Sequence, residues 1–264
     1  MEANQYITDF YSKFDEDSRL TSKPGLVEFL TTMRYIEKYI KPGDRVLEIG
    51  AATGRYSHAL ARMGYAVDAV ELVEHHIEVF KQNTQPNENI TITQGNAMDL
   101  SAFSDNKYDI TLLLGPMYHL FNQEDKQQAI RETIRVTKPG GVMFAAYAIS
   151  DLHLLDEGFR RGKINIANCI DKGQIDPLTF AVVTKPHELL VELVRKEHID
   201  NLMSVFPVTR LHYVASNGYA GFMREALDEM DNDTFELFLK FHFTICERED
   251  LVGITGHALD IFRK

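Results

Sequence analysis

In the first half of the chain, stretches with apolar residues at helical spacing alternate with short, continuous apolar runs. Residues from Leu26 to Ile40 place apolar side chains at three-and-four spacing, which predicts an amphipathic helix that ends before Pro42 and Gly43. Short apolar runs follow and predict strands; the run over 108–114 is apolar at Ile110 and at 112–114, as expected for a central strand buried on both faces. We predict strands over 45–49, 66–72, 90–93, 108–114 and 142–148, and helices over 55–63, 73–84 and 123–137.

This alternation of strands and helices predicts βαβ units and therefore a doubly wound α/β sheet. Right-handed crossovers place the loops that follow the strands along one edge, where such folds bind ligands. Beyond residue 150 the pattern is less regular, and we interpret the surplus chain as a cap over that edge. There it predicts strands over 179–183, 189–195, 208–215 and 257–262, and helices over 198–206, 220–230 and 234–248.

Length and charge narrow the classes of function. The chain has 264 residues, enough for one large α/β domain with a cap, and its formal net charge of −11 disfavours free DNA or RNA as a substrate. The longest strongly apolar stretch, 142–149, is far shorter than the roughly 20 residues that span a bilayer. We therefore expect neither a nucleic acid nor a membrane as partner.

The chain's beginning and its cysteines bear on its compartment. Its first residues show no basic stretch followed by an apolar core, so we expect no signal peptide. Cys169 and Cys246 form no CxxC pair and no cluster with metal-ligand spacing, which favours a reducing compartment. We predict a cytoplasmic protein that needs no metal ion.

The strongest candidate for chemistry is the loop Gly50-Ala51-Ala52-Thr53-Gly54, which follows the first strand. Glycine permits the sharp turn and the close approach of a ligand. A dinucleotide fingerprint, G-x-G-x-x-G, would require glycine where this chain has Ala52 and Arg55. Glu48, just before the loop, would repel a diphosphate and suits a ligand that bears an ammonium or a sulfonium. The pattern therefore disfavours a nicotinamide cofactor.

Two further positions suit a nucleoside. Glu71 closes the second strand, where an acid can accept hydrogen bonds from both hydroxyls of a ribose. The loop over 95–100 follows the third strand and can hydrogen-bond an adenine edge. Each signal is weak alone, and together they indicate a nucleoside bound across three successive loops.

These elements resemble the class I S-adenosylmethionine-dependent methyltransferases over about residues 26–150. The family's first motif, acid-x-Gly-x-Gly-x-Gly, falls on Glu48, Gly50, Ala52 and Gly54, and Ala52 departs from it. Its ribose-binding acid falls on Glu71, and its adenine-side acid falls where this chain has Asn96. The turn over 138–141, before the fifth strand, is also similar to the family's.

The resemblance implies a mostly parallel, seven-stranded Rossmann-like sheet with an α-rich carboxyl-terminal cap, and S-adenosylmethionine as the cofactor. It also implies that the amino-terminal segment folds over the cofactor, with Tyr11 covering the sulfonium and Arg19 pairing with the methionine carboxylate. The predicted cofactor-binding residues are Tyr11, Arg19, Glu48, Gly50, Ala51, Thr53, Gly54, Glu71, Leu72, Asn96, Ala97, Met98, Leu114 and His119.

The acceptor is less well determined. Gly115 follows the fourth strand where DNA amino-methyltransferases carry Asp or Asn, which disfavours that chemistry. His119 lies at the same strand edge, where it can contact the cofactor or take a proton from the acceptor. In the cap, His212 and Arg210 are expected to share one strand face. We predict His119 and His212 as catalytic residues, and Tyr118, Arg210, His212 and Arg224 as substrate-binding residues.

We divide the chain into a helical segment over 1–40 that covers the cofactor, a cofactor-binding core over 41–150, and the remaining strands with a substrate cap over 151–264. The expected function is in-line transfer of a methyl group from S-adenosylmethionine to a small-molecule acceptor, with S-adenosylhomocysteine as product. Three alternatives stay open: an S-adenosylmethionine-binding protein without catalysis, an NAD-dependent oxidoreductase, and a peptide or protein methyltransferase. The sequence fixes neither the acceptor nor the oligomeric state.

Overall fold

The computed structural model describes residues 3–11, 20–183 and 190–264. Seven strands in this part of the chain form one sheet in the order β3-β2-β1-β4-β5-β7-β6. Their bounds are Arg45–Ile49 for β1, Ala66–Glu71 for β2, Ile90–Gln94 for β3, Tyr108–Leu113 for β4, Thr137–Ala148 for β5, Thr209–Ala215 for β6 and His257–Arg263 for β7.

Strands β1 to β5 run parallel, and β7 lies antiparallel between β5 and β6. The predicted doubly wound, mostly parallel seven-stranded sheet is therefore confirmed. Because β1 to β5 share one direction, the loops that follow them emerge at one edge, and the first residue of the reversed β7 lies at that same edge. We call this side of the sheet the ligand edge.

Helices pack on both faces of the sheet. Lys23–Tyr39 begins after Ser22, whose hydroxyl accepts from the amide of Gly25, and Pro24 in the first turn lacks an amide hydrogen that would need a partner. The other helices are Ala3–Tyr11, Arg55–Arg62, Glu74–Asn83, Gln123–Val136, Ser150–His153 with a π-helical continuation over Leu154–Arg160, Ile166–Asp171, Lys196–Met203, Arg224–Glu229 and Asn232–Ile245.

The hydrophobic core has one layer on each side of the sheet. Ile110 and Leu112 of β4 face one layer and Leu113 faces the other, as expected for a central parallel strand. None of the helices that the structure describes combines the length and the apolarity needed to cross a bilayer.

The second half of the chain departs from the prediction. Residues 179–183 and 190–195 make only single bridges, Ile175 to Val182 and Ile149 to Val194, so the two strands predicted there are wrong. The first of these segments turns because the Asp176 carboxylate accepts from the amides of Leu178 at 3.0 Å and Thr179 at 2.7 Å. The helix predicted over 220–230 is α-helical only over Arg224–Glu229, after a 3-10 turn at Gly218–Gly221.

A bulge in β6 changes which side chains share a face. The pairing of β6 with β7 shifts between Arg210, opposite Phe262, and His212, opposite Ile261. The Arg210 guanidinium lies over the ring of Tyr213, whereas the His212 ring contacts Tyr35 of helix Lys23–Tyr39. The prediction that Arg210 and His212 share a face is wrong, because the extra residue reverses the alternation of side chains.

Candidate functional site

A cleft lies at the ligand edge, over the ends of β1 to β4. The loops after these four strands form its walls, and Ile7 and Tyr11 of helix Ala3–Tyr11 close one side. The structure brings together at this cleft most of the predicted cofactor-binding residues and one predicted substrate residue: Tyr11, Glu48, Gly50, Ala51, Thr53, Glu71, Leu72, Asn96, Ala97, Leu114, His119 and Tyr118.

The loop after β1 is held tightly against its neighbours. Gly50 has φ +75°, and a Cβ there would come within 2.7 Å of Pro116 Cδ, so both its backbone angle and its surroundings require glycine. The amides of Gly50 and Ala51 donate to the carbonyl of Val70. Ala52 has φ +48°, a left-handed conformation that explains why the resembling family has glycine at this position. Held in this way, residues 50–53 line the cleft.

Glu48 is a buried acid on the cleft wall. Its residue is 2% exposed, and its carboxylate accepts a hydrogen bond from the Ser57 hydroxyl. Burial raises the pKa of Glu48 to about 8, because the loss of water disfavours the charged form more than the Ser57 hydrogen bonds favour it. No cationic side chain of the described chain pairs with it. A ligand that brings a positive charge would supply the missing partner.

Glu71 is fixed by its own backbone neighbours. Its two carboxylate oxygens accept from the amides of Ala52 and Val73, each at 2.8 Å. Each oxygen has a second lone pair that remains able to accept from a ligand hydroxyl. The Nδ1 atom of His76 lies 3.6 Å from the carboxylate, and its buried Nε2 atom has no hydrogen-bond partner among the described residues. The acid is thus oriented before any ligand arrives.

Two predicted cofactor-binding residues, Met98 and Gly54, do not line the cleft. Asn96 uses its Oδ1 atom to accept from the amide of Met98 at 2.9 Å, and this turn sends the Met98 side chain against the core. Gly54 has φ +91° at the start of helix Arg55–Arg62, and a Cβ there would lie 2.5 Å from the Phe80 ring. The prediction is corrected for both: Met98 lies half-buried against the core, and the lack of a side chain at Gly54 lets Phe80 pack against it.

His119 lies at the end of the cleft nearest β4. Its Nδ1 atom is 3.0 Å from the carbonyl of Leu190, and its Nε2 atom is 3.1 Å from the Tyr11 hydroxyl. A carbonyl only accepts, so Nδ1 carries the proton and neutral Nε2 accepts from Tyr11. Burial lowers the pKa of His119, although the bond to Leu190 and the charge of Glu71 oppose this. The histidine is therefore neutral near pH 7 and ties helix Ala3–Tyr11 to the cleft.

His212 lies away from the cleft, which corrects its prediction as a catalytic and substrate-binding residue. Its Nδ1 atom pairs with Glu247, and its Nε2 atom lies 2.5 Å from the Tyr39 hydroxyl and 3.0 Å from Lys38 Nζ. Both ring nitrogens are engaged on the outer side of β6. Partners on neighbouring elements hold this histidine in a structural network.

The other predicted substrate residues are also corrected. Arg210 forms a two-pronged ion pair with the buried Asp260, at 2.7 and 2.8 Å, and also bonds Asp200 at 2.6 Å. Arg224 is exposed, and its Nε atom donates to the carbonyl of Gly221 at 3.0 Å. Neither lines the cleft. Arg19, the predicted partner of the methionine carboxylate, lies outside the described residues.

Several cleft residues were not predicted. Arg55, the one Arg or Lys among the described lining residues, lies with its guanidinium 4.6 Å from the Phe29 ring centroid. Most of the others immediately flank predicted positions, so their place next to the strand ends was the available signal. They are Ile7, Leu20, Ala52, Tyr56, Val70, Val73, His76, Gly95, Gly115, Pro116 and Leu120.

The residues present fit S-adenosylmethionine. Glu48 is buried without a positive partner in the described chain and suits a cation, whereas Glu71 has free lone pairs for ribose hydroxyls. Gly50 and Ala52, both with left-handed backbone angles, line the cleft between these two acids. Asn96, which follows β3, lines the same cleft, and its Oδ1 atom already accepts from the Met98 amide. Glu48 would therefore face the positive charge of the ligand, Glu71 its ribose and Asn96 its base.

Comparison with known proteins agrees with this geometry. Residues 46–141 match the family described as a methyltransferase domain. The glycine/sarcosine N-methyltransferase of Aphanothece halophytica is 28% identical over 180 residues, which cover 66% of this chain and 64% of that protein. The demethylmenaquinone methyltransferase of Staphylococcus aureus is 33% identical over 108 residues, 39% of this chain and 43% of that protein. The chain thus aligns with less than two thirds of either relative's length.

A solved structure shows the same fold over most of the chain. The S-adenosylmethionine-dependent methyltransferase of Methanosarcina mazei superposes with a TM-score of 0.56 at 17% identity, over 87% of this chain and 96% of that one. At this level of identity the likeness establishes the fold.

Proposed function

We propose that residues 46–141, which match the family described as a methyltransferase domain, form a class I, Rossmann-like domain whose cofactor is S-adenosylmethionine, and that the chain transfers a methyl group from this cofactor to a small-molecule acceptor. The two relatives are named for glycine or sarcosine and for demethylmenaquinone, which supports a small acceptor. The cleft is consistent with a small acceptor, because Ile7 and Tyr11 of helix Ala3–Tyr11 line it beside the strand ends.

Bound S-adenosylmethionine supplies a methyl group on a positively charged sulfur, already activated for displacement. The chain's own residues then orient the partners and exclude water. Glu71 accepts from the ribose, Glu48 offers a carboxylate to the ligand's cation, and Arg55 offers a positive charge to its carboxylate. Tyr11, held by His119 at 3.1 Å, covers the site. We propose that His119 contacts the cofactor and lines the path to the acceptor together with Tyr118.

The observation that carries this proposal is the geometry of Glu71: a buried carboxylate at the end of β2, oriented by two backbone amides, on the wall of the cleft. We expect Glu71→Ala to weaken S-adenosylmethionine binding roughly 100-fold in isothermal titration, since two hydrogen bonds to a charged acceptor are lost. The matched control is Glu78→Ala, an exposed acid on the next helix, which should bind within twofold of the wild type.

Each alternative predicts a different outcome of the same experiments. Unchanged affinity in Glu71→Ala, with the variant still folded by circular dichroism, would refute the ribose assignment. Binding without S-adenosylhomocysteine formation would favour a cofactor-binding protein without catalysis, and binding of NAD in place of S-adenosylmethionine would favour the oxidoreductase. Methylation of peptides but of no small molecule would favour a protein methyltransferase.

A further inference from the structure

A second histidine lies at the ligand edge, beside the cleft. His257 is the first residue of the reversed strand β7 and pairs across from Ala148, the last residue of β5. Its ring stacks on Tyr118, which lines the cleft, with ring centroids 5.9 Å apart and planes inclined by 26°. The His257 side chain is 29% exposed. One aromatic ring therefore separates this histidine from the cofactor cleft.

Glu28 orients the ring of His257. Its carboxylate Oε2 atom lies 2.8 Å from Nδ1 of the histidine, although the two residues are 229 positions apart in the chain. An ionised carboxylate only accepts, so Nδ1 carries a proton, and in the neutral ring Nε2 presents its lone pair. No residue of the described chain hydrogen-bonds that Nε2 atom. A histidine base oriented by an acid is the arrangement that recurs in proton-abstracting sites.

Buried hydrogen bonds fix the backbone of His257 as well. Its amide donates to Asn217 Oδ1 at 3.1 Å. Its carbonyl accepts three hydrogen bonds: from the Ser216 amide at 3.0 Å, the Ser216 hydroxyl at 2.8 Å and the Thr255 hydroxyl at 2.6 Å. Thr255 is fully buried, and Ser216 and Asn217 nearly so. This network holds the histidine in one position without using the ring nitrogens.

His119 is less suited to act as the base. Its Nδ1 atom is engaged by Leu190 and its Nε2 atom by Tyr11, so abstraction of a proton would first break the contact that covers the cleft. His212 has an acid partner too, but both of its ring nitrogens are occupied, and it lies on the outer strand β6. Of these three histidines, His257 combines an acid partner, an available Nε2 atom and a place beside the cleft.

We propose that His257, oriented by Glu28, is the general base for the acceptor, and that the acceptor is therefore a protic nucleophile: an amine, a hydroxyl or a thiol. The acceptor's lone pair forms the new bond to the methyl carbon. The bond from that carbon to sulfur breaks and its electron pair goes to sulfur, leaving a neutral thioether. The acceptor's proton passes to Nε2 of His257, and Glu28 stabilises the imidazolium. This inference rests on the proposed function.

The test compares His257→Asn and Glu28→Gln with the matched control His212→Asn, a histidine that also pairs with a glutamate but away from the cleft. The probes are sarcosine, catechol and 2-mercaptoethanol, one for each class of nucleophile, with S-adenosylhomocysteine formation as the readout. For the probe that reacts, we expect His257→Asn to lower kcat about 100-fold or more and to remove the acidic limb of the pH profile. Glu28→Gln should lower kcat about tenfold, and His212→Asn should stay within twofold.

Two further measurements do not depend on turnover. Calorimetry should give S-adenosylmethionine affinities within twofold of the wild type for both dyad variants. Nitrogen NMR of the histidine rings, with S-adenosylhomocysteine bound at pH 8, should show the proton of His257 on Nδ1 and none on Nε2. A proton on Nε2, or a tenfold loss of cofactor affinity in His257→Asn, would overturn the role of the dyad.

The outcomes separate the two proposals. If the wild type turns over and His257→Asn keeps more than a third of its kcat, the dyad is not the base and the proposed function stands. If the wild type binds S-adenosylmethionine but methylates none of the three probes, transfer to protic small molecules is contradicted, and with it the role of the dyad. If the wild type does not bind S-adenosylmethionine, the proposed function itself is refuted.

Discussion

Two buried acids on the same sheet, Glu48 at the end of β1 and Asp260 within β7, have opposite surroundings. Asp260 is fully buried and faces the Arg210 guanidinium at 2.7 and 2.8 Å. Burial raises the pKa of Asp260 to about 6, and Arg210 opposes that rise. Glu48 is almost as deeply buried, but its described partner is the Ser57 hydroxyl, and its pKa rises to about 8.

The difference separates a region that balances its own charge from one that does not. The outer strands β6 and β7 match a buried acid with a cation from the same chain, so their electrostatics are complete. The ligand edge over β1 to β4 holds an acid whose counter-charge must arrive from outside. An uncompensated buried carboxylate on a cleft wall is therefore a better mark of a binding site than burial or perturbed pKa alone.

The largest effect is expected on the free energy of unfolding when Arg210, the partner of buried Asp260, is replaced. We expect Arg210→Met, which keeps much of the apolar stem, to lower the free energy of unfolding by about 3 kcal/mol, because Asp260 is left buried without its partner. Urea unfolding measures this loss, and S-adenosylhomocysteine affinity should stay within twofold. The double variant Arg210→Met/Asp260→Asn should recover most of the stability. A loss below about 1 kcal/mol would mean that the pair is not what stabilises this region.

The pH dependence of Glu48 should give an intermediate effect. Because its pKa is about 8, the carboxylate is protonated at lower pH and cannot pair with a cation. Affinity for S-adenosylhomocysteine should therefore rise between pH 6 and 8, by up to about tenfold per pH unit. The raised pKa of Glu48 also makes the stability of the ligand-free protein depend on pH. Its contribution to the free energy of unfolding is fully present below the ordinary glutamate pKa. That contribution is lost as the pH rises towards 8.

Glu48→Gln should remove both dependences. Calorimetry between pH 6 and 8 should give a nearly constant affinity for this variant, and its thermal midpoint without ligand should fall less with rising pH than that of the wild type. An affinity slope that persists in Glu48→Gln would assign the titration to another group.

Backbone strain at Ala52 should give the smallest effect. Its φ of +48° is costly for alanine and free for glycine, but glycine also gains entropy in the unfolded chain. We expect Ala52→Gly to change the free energy of unfolding by less than about 1 kcal/mol and to leave cofactor affinity within threefold. Thermal unfolding with and without S-adenosylhomocysteine measures both. A tenfold loss of affinity would show that the Ala52 side chain itself contacts the ligand.

The sequence predicted the amino-terminal half of the protein well, because its strands and helices follow from patterns within short stretches of the chain. The first five strands and the doubly wound, mostly parallel sheet are confirmed, except that β5 begins at Thr137 and includes the turn predicted over 138–141. These features depend on hydrophobic period, on glycine and on the order of elements, all of which are written within short windows of the chain. Glu48 and Glu71 could be placed on the cleft because parallel strands end at one edge.

The rest depended on contacts between distant residues. His257 was placed at the start of the last predicted strand, but its pairing with Glu28 joins positions 229 residues apart and leaves no local signal. The bulge that separates Arg210 from His212 has no glycine or proline to mark it, so the simple alternation of strand faces failed there. Met98 was misplaced because the Asn96 side chain bends the loop.

The protonated state of Glu48 has a further consequence under the proposed function. Below about pH 8 this carboxyl group holds its proton in the empty cleft, and the arrival of a cationic ligand favours release of that proton into the buffer. Departure of the ligand takes a proton back. Occupancy of this cleft is thereby coupled to the acidity of the surrounding solution, and the heat of binding depends on the buffer that receives the proton.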